Sequence, residues 1–166
     1  MRTSSRQSLS KKKLKCWLSL YNVSRMAETH LREFLRVKHD TTLPRFDVMA
    51  ALWRRPEGVS MSELSRMLLV SNGNTSSVVD RLVKDGYVER LREGGDRRVI
   101  QVALSVQGRA SFEVMARSHE EEVARLFAPL SVKDIDALES ILGPLGRRWL
   151  EDGRNSAENP VRGEAA

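Results

Sequence analysis

Apolar residues recur at helical intervals over much of the chain. From residue 14 to about residue 37 they stand mostly three or four positions apart with charges between them, which predicts one long amphipathic helix. Pro44 then suits the first turn of a second helix, because its missing N–H is not needed there. An apolar stripe from Phe46 to Trp53 continues that helix. The chain is therefore predicted to open with two successive helices.

Two short helices are predicted next, with little chain between them. Ser60 and Glu63 form a capping box that starts a helix ending near Leu69. Ser71 can cap the following helix, which extends to about residue 85 and stops at Gly86. Two short helices joined this closely must cross steeply, which is the helix-turn-helix arrangement. The second helix is predicted to bury one face, formed by Thr75, Val78, Val79 and Leu82.

The spacing of apolar residues then changes from helical to alternating. Residues 87–92 and 99–104 are rich in β-forming types, and residues 93–98 between them contain two glycines and two arginines. This pattern predicts a hairpin with a basic tip. Ser105 can cap a further long helix to about residue 127, and Ser131 can open a last one, predicted to be interrupted at Gly143 and Pro144.

The predicted fold is mainly α with a small β-hairpin, a winged helix-turn-helix with added terminal helices. The terminal helices are amphipathic, yet the central unit does not need all of them to close its own core. Their apolar faces are therefore expected to meet a second copy. The second helix of the helix-turn-helix is the predicted reader helix, the one that would enter a DNA groove. A two-fold dimer would place two reader helices about 34 Å apart, which is one DNA turn. The predicted segments are a disordered basic arm (1–13), an N-terminal dimerisation helix (14–43), a DNA-binding domain (44–104), C-terminal dimerisation helices (105–150) and a disordered tail (151–166).

Composition narrows the class of protein more than it identifies a partner. The net charge is +6, but the first fifteen residues contain six basic and no acidic residues, so basicity of the whole chain is weak evidence for nucleic acid. No apolar run is long enough for a membrane helix and no signal peptide is apparent, so a cytoplasmic protein is expected. A single cysteine, Cys16, excludes an internal disulfide framework and a multi-cysteine zinc site.

The predicted reader helix carries side chains that suit a DNA groove. Asparagine can pair with adenine, serine can donate to phosphate or a base edge, and a helix N-terminus favours phosphate. The same Ser/Asn cluster could instead be only a helix cap. At the hairpin tip Asp96 could orient one arginine while the other enters a narrow minor groove. The candidate DNA-binding residues are Ser71, Asn72, Asn74, Ser76, Ser77, Arg81, Asp96, Arg97 and Arg98.

Here the chain resembles the MarR family of winged-helix regulators, from about residue 14 to residue 150. The residues that carry the resemblance include 62–64, 79–82, 86–90, Asp96-Arg97-Arg98 and 102–105. The resemblance implies a homodimer joined by its terminal helices, a reader helix at 72–85, Arg98 in the minor groove of duplex DNA, and repression relieved by a ligand. Since no metal, nucleophile or phosphate-loop motif is found, no cofactor, no metal site and no enzymatic activity are predicted. Ser65 departs from the alanine usual in the family.

A finer resemblance concerns the effector. Residues 43–47 and 70–74 resemble a subgroup that responds to hydroxycinnamoyl-CoA thioesters, which implies an acyl-CoA effector such as p-coumaroyl-CoA or feruloyl-CoA. Such a ligand needs an apolar slot for the acyl group and cations for the phosphates. The candidate effector-binding residues are Trp17, Tyr21, His30, Arg32, Arg36, Arg45 and Trp53, each of which could equally be a core aromatic or a surface charge.

Three alternative functions stay open at this stage. Cys16 and Tyr21 resemble the pair of peroxide-sensing members of the family, although their spacing is one residue longer. An enzyme is poorly supported, because His30, His39 and His119 are far apart and no nucleophile, metal or phosphate-loop motif is present. A winged helix that contacts only proteins is also compatible with the fold.

Overall fold

The computed structural model describes the backbone of residues 2–68, 72–92 and 100–158, and the side chains of residues 8–68, 73–91 and 101–150. Within these ranges the elements follow the predicted order, with one short strand added. They are α1 (Arg2–His39), α2 (Leu43–Trp53), β1 (Val59–Ser60), α3 (Met61–Leu68), α4 (Asn72–Lys84), β2 (Val88–Arg92), β3 (Ile100–Leu104), α5 (Val106–Phe127) and α6 (Val132–Glu158). The chain divides into two compact units, residues 1–124 and 125–166.

The two terminal helices are longer than predicted. The helix expected to start at residue 14 starts at Arg2, so the prediction of a disordered arm is wrong for residues 2–13. That segment contains no proline or glycine that would end a helix. Helix α6 continues through Gly143 and Pro144 to Glu158, which corrects both the predicted interruption and the predicted disorder up to that residue. The carbonyl that Pro144 leaves without an N–H belongs to Ser140, an exposed residue, where water can replace the lost hydrogen bond.

The helix-turn-helix forms as its local signals predict. The Ser60 hydroxyl accepts a hydrogen bond of 3.2 Å from the Glu63 amide at the start of α3. At the end of α4, Tyr87 N–H donates to the Leu82 carbonyl and Gly86 N–H donates to Val83, at 2.9 and 3.1 Å. These two bonds form a Schellman motif, and Gly86 supplies the positive φ of 79° that it needs. Pro44 lies in the first turn of α2, as predicted.

The sheet has three strands where the sequence pattern predicted two. Strand β3 lies in the middle, paired antiparallel with β2 on one side and with β1 on the other. Two residues, Val59 and Ser60, are too short a run to show an alternating pattern, which is why β1 was not predicted. It ties the start of α3 directly to the sheet, since Ser60 both pairs with Gln101 and caps the helix.

One apolar core lies in the first unit, where α1, α2, α3, α4, α5 and the sheet meet. Leu35, Leu52, Leu64, Leu82 and Val102 are fully buried there. The predicted buried face of α4 is confirmed, with Thr75, Val79 and Leu82 buried and Val78 half-buried. Burial of these side chains is the main force that orients α4.

Candidate nucleic-acid interface

The exposed face of α4 includes a polar row. Asn74, Ser77 and Arg81 are exposed and stand three and four positions apart, so they share one side of the helix. The Ser77 hydroxyl donates to the Asn74 carbonyl at 3.0 Å. Ser76 was predicted to be exposed with them but is half-buried. The row offers an amide, a hydroxyl and a guanidinium to a groove, the group types that contact bases and phosphates.

Two ion pairs fix α4 to its neighbours, and sequence reasoning missed both. Arg90 on β2 pairs with Asp80 on α4. Arg45 on α2 pairs with Asp85 at the end of α4, with 2.7 Å between Nη1 and Oδ2. The members of each pair are ten and forty residues apart, so no helical spacing could reveal them. Together with the buried face, the two ion pairs hold α4 in position against α2 and β2.

Several predicted DNA contacts lie outside the described residues. Ser71, Asp96, Arg97 and Arg98 are not described, nor is the side chain of Asn72. The strands that lead to the hairpin tip are described, and the pair nearest the tip is Arg92 with Ile100. The predicted role of the tip arginines therefore stays a prediction, carried by a hairpin that begins three residues after α4.

A cavity of about 710 Å³ lies beside the reader helix. Its apolar wall includes Leu43 and Phe46 from α2, Met67 from α3 and Val78 from α4. Its polar positions are Glu28, Arg32, Asp47, Arg54, Asn74, Thr75 and Ser77. The volume is in the range of small-molecule sites. Because the first turns of α4 form part of the wall, a molecule in this cavity would touch the helix that carries the polar row.

The structure brings only one of the seven predicted effector residues to this cavity. Arg32 lines it, next to its ion-pair partner Glu28. Trp17 and Tyr21 pack against each other on an exposed stretch of α1, with ring centres 5.8 Å apart. They lie about 16–23 Å away from Arg32 along the helix axis, because each helical residue advances about 1.5 Å.

The other four predicted effector residues have structural partners. Arg36 bonds Glu33 one turn earlier on α1, and Arg45 bonds Asp85. The His30 ring nitrogen is 2.5 Å from the carboxylate of Glu122, which joins α1 to α5. Trp53 packs on Phe112 and lies under Arg109. The predicted set therefore does not form one site within a single chain.

Asp47 and Arg54 are cavity residues that sequence reasoning did not select. Burial raises the pKa of the Asp47 carboxyl, and nearby Glu28 raises it further, while Arg32 opposes both. Arg54 caps the C-terminal end of α2 and makes no ion pair with the residues that the structure describes.

The remaining candidate chemistry is sparse. Cys16 is exposed. Within the described ranges, no group of three or more His, Cys, Asp or Glu side chains could hold a metal ion. Nor does any helix in those ranges combine the length and apolar character that crossing a membrane requires.

Two short successive helices, a polar row on the second and a three-stranded antiparallel sheet define a winged-helix domain. A model of the MarR family matches residues 39–99, and over this region the chain is similar to that family of winged-helix transcriptional regulators. The finer resemblance to a hydroxycinnamoyl-CoA-responsive subgroup stays a prediction.

Regulators and solved structures of regulators are also similar to this chain. The regulator PecS of Dickeya dadantii is 30% identical over 64% of this chain, and the match spans 65% of PecS, just under two thirds of its length. A MarR family regulator from Silicibacter pomeroyi is 29% identical, with a TM-score of 0.69 over 84% of this chain and 96% of that one. A mutant of MarR from E. coli, complexed with operator DNA, is 25% identical, with a TM-score of 0.71 over 81% of this chain and 95% of that one.

Proposed function

We propose that this protein is a homodimeric transcriptional repressor that binds duplex DNA through α4 and the hairpin tip and is released by a small-molecule effector. The observation that carries the proposal is the polar row of Asn74, Ser77 and Arg81 on a helix whose opposite face is buried. A helix held this way can enter a major groove without losing its own packing.

Dimerisation is supported by apolar side chains that the single chain leaves in solvent. On α1, Leu14, Trp17, Leu18 and Tyr21 are between 44% and 57% exposed. On α6, an apolar face includes Ile135, Leu138 and Leu142. Exposed contiguous apolar surface of this kind marks interaction sites, and a two-fold partner would pair two reader helices with an inverted-repeat operator.

The cavity beside α4 supports regulation by a ligand. An amphipathic organic anion would find an apolar wall and the guanidinium of Arg54, which has no carboxylate partner among the described residues. The acyl part of p-coumaroyl-CoA or feruloyl-CoA is of suitable size, and the phosphates of CoA would remain outside, near the rim. By filling the space between α2 and the first turns of α4, such a ligand would disfavour the DNA-bound arrangement.

The DNA-binding proposal is tested by titrating wild-type protein against duplexes selected from a random-sequence pool, at stated salt. Arg81→Ala and Arg98→Ala should each weaken operator binding by about 5- to 100-fold, the range for loss of one specific contact. Arg117→Ala, an exposed arginine on α5, is the matched control and should bind like wild type. If the pool yields no enriched sequence, the chain is not a sequence-specific regulator and a protein-contacting role becomes the better hypothesis.

The effector proposal is tested on the same complex. Each thioester and its free acid are added to the operator complex of wild type and of Ala50→Phe, which fills the cavity from the α2 side. Release of wild type by a thioester but not by its acid, and of the variant by neither, supports a CoA-linked effector in this cavity. Release of both proteins alike places the effector elsewhere, and release of neither protein rejects these thioesters.

A further inference from the structure

The C-terminal end of α4 is joined to α2 by one arginine. The Arg45 guanidinium pairs with Asp85 at 2.7 Å, and its carbon lies 6.0 Å from the centre of the Tyr87 ring. The Arg45 side chain is only 20% exposed, compared with 49% to 65% for the arginines that pair with Glu28, Glu33 and Asp80. The Asp85 side chain is 42% exposed, so water screens this pair mainly from the Asp85 side.

The residues that Arg45 contacts are themselves fixed. Asp85 and Tyr87 stand on either side of Gly86, within the Schellman turn that ends α4. The Tyr87 carbonyl accepts a hydrogen bond from Ser105 N–H at 3.0 Å, and the Ser105 hydroxyl donates to the Gly86 carbonyl at 2.6 Å. Arg45 therefore contacts the C-terminal end of α4, in the short segment that connects this helix to β2.

We infer that Arg45 is a positioning residue for the reader helix, and not the effector cation that the sequence suggested. Helix α4 has 13 residues, so its two ends are about 18–20 Å apart. A tilt of about 5° about the Asp85 end would move the other end by roughly 1.5–2 Å, enough to lose hydrogen bonds to bases that require 2.7–3.2 Å. The inference rests on the proposed DNA binding by α4.

The test separates positioning from simple electrostatics by changing the charge in opposite directions. Arg45→Gln removes one positive charge and Asp85→Asn removes one negative charge, and each breaks the same pair. Binding of each variant is measured by fluorescence anisotropy against an operator selected by wild-type protein and against a scrambled duplex of equal length and composition. Arg117→Gln is the matched control, and circular dichroism fixes the temperature at which every variant is folded.

If Arg45 positions α4, both variants lose about 10-fold or more in the ratio of operator to scrambled affinity, and the double variant loses no more than the worse single one. If the effect is only one of net charge, Arg45→Gln weakens and Asp85→Asn strengthens binding to both duplexes with the ratio unchanged, which would overturn the inference. Wild-type ratios in both variants would overturn it too. If wild type selects no operator, the proposed function itself fails, and this inference with it.

Discussion

The winged-helix region and the two terminal helices differ in how far their apolar side chains are buried. In the winged-helix region Leu52, Leu64 and Leu82 are fully buried, whereas Trp17 on α1 is 52% exposed and Leu142 on α6 is 39% exposed. Apolar residues at helical spacing are therefore buried in one region and exposed in the other. In the winged-helix region these side chains pack into the core of the first unit, whereas the exposed apolar side chains of α1 and α6 fit the proposed contact with a second copy. Under the proposed dimerisation, the core sets the stability of the chain and the exposed faces set its assembly.

The largest expected effect comes from a cavity made in the central core. Leu52→Ala should lower the free energy of unfolding by about 2–5 kcal/mol at every protein concentration, because its contacts lie within one chain. Leu138→Ala on α6 is the matched change, and its loss should grow with protein concentration if the proposed dimer forms through α6. Denaturant titration at low and high protein concentration measures both. Equal, concentration-independent losses would contradict the division between the two regions.

Glycines on helices of the two regions should also respond differently. A Cβ at Gly108 would lie 1.9 Å from the backbone carbonyl oxygen of Tyr87, so Gly108→Ala should cost about 1–3 kcal/mol of unfolding free energy. Apart from the backbone of its own helix, no atom of the described residues lies within 4 Å of a Cβ at Gly146 on α6. Gly146→Ala should therefore stabilise the monomer by up to about 1 kcal/mol through helix propensity. Thermal unfolding of dilute protein checks both, and a neutral Gly108→Ala would refute the close α5–Tyr87 contact.

A smaller effect, of opposite sign, is expected at Ser65. Its hydroxyl is buried on α3 without a hydrogen-bond partner among the described residues. Removing an unsatisfied buried polar group should raise the free energy of unfolding, so Ser65→Ala should gain about 1 kcal/mol. Ser62→Ala, exposed on the same helix, should change little. A loss of stability at Ser65 would mean that its hydroxyl has a partner in solution.

The smallest expected effect is a pH dependence at His119. This ring stacks on Phe46 with 4.4 Å between centres, and burial lowers its pKa below the ordinary value of 6.5. Between those two pKa values the unfolded chain binds more protons than the folded one, so stability is complete above about pH 6.5 and falls as the pH drops toward the folded pKa. His119→Phe should flatten the unfolding free energy between pH 7.5 and 5.5. If the unfolding free energy of the variant depends on pH as steeply as that of wild type, other titratable groups cause the dependence.

Local chemistry made the winged helix predictable. The Ser60 cap, Pro44 in the first turn of α2, the Gly86 stop and the buried face of α4 each depend on residues within a few positions of one another, and each was confirmed. The helix ends failed for a different reason. Lysine is a good helix former, so the basic residues 11–13 do not stop α1. Pro144 removes one helical hydrogen bond, and an exposed carbonyl can bind water instead.

The candidate site was less predictable because it depends on distant pairs. Arg45 and Asp85 are forty residues apart, and His30 and Glu122 are ninety-two apart, so only the fold brings them together. Trp17 and Arg32 were both predicted as effector residues because they lie on the same helix, but they are fifteen positions apart on α1 and therefore far from each other in space. The cavity residues Asp47 and Arg54 carry no special spacing in the sequence, and only the packing of α2 against α4 identifies them.

The central claim is that two copies of this chain read DNA with α4. It is tested most directly by selecting duplexes from a random-sequence pool with wild-type protein and determining the enriched sequence. An inverted repeat with half-sites about 10 base pairs apart is the predicted result, because two-fold related reader helices fit successive major grooves. A single unpaired half-site would contradict the dimeric part of the claim, and no enrichment would contradict the claim as a whole.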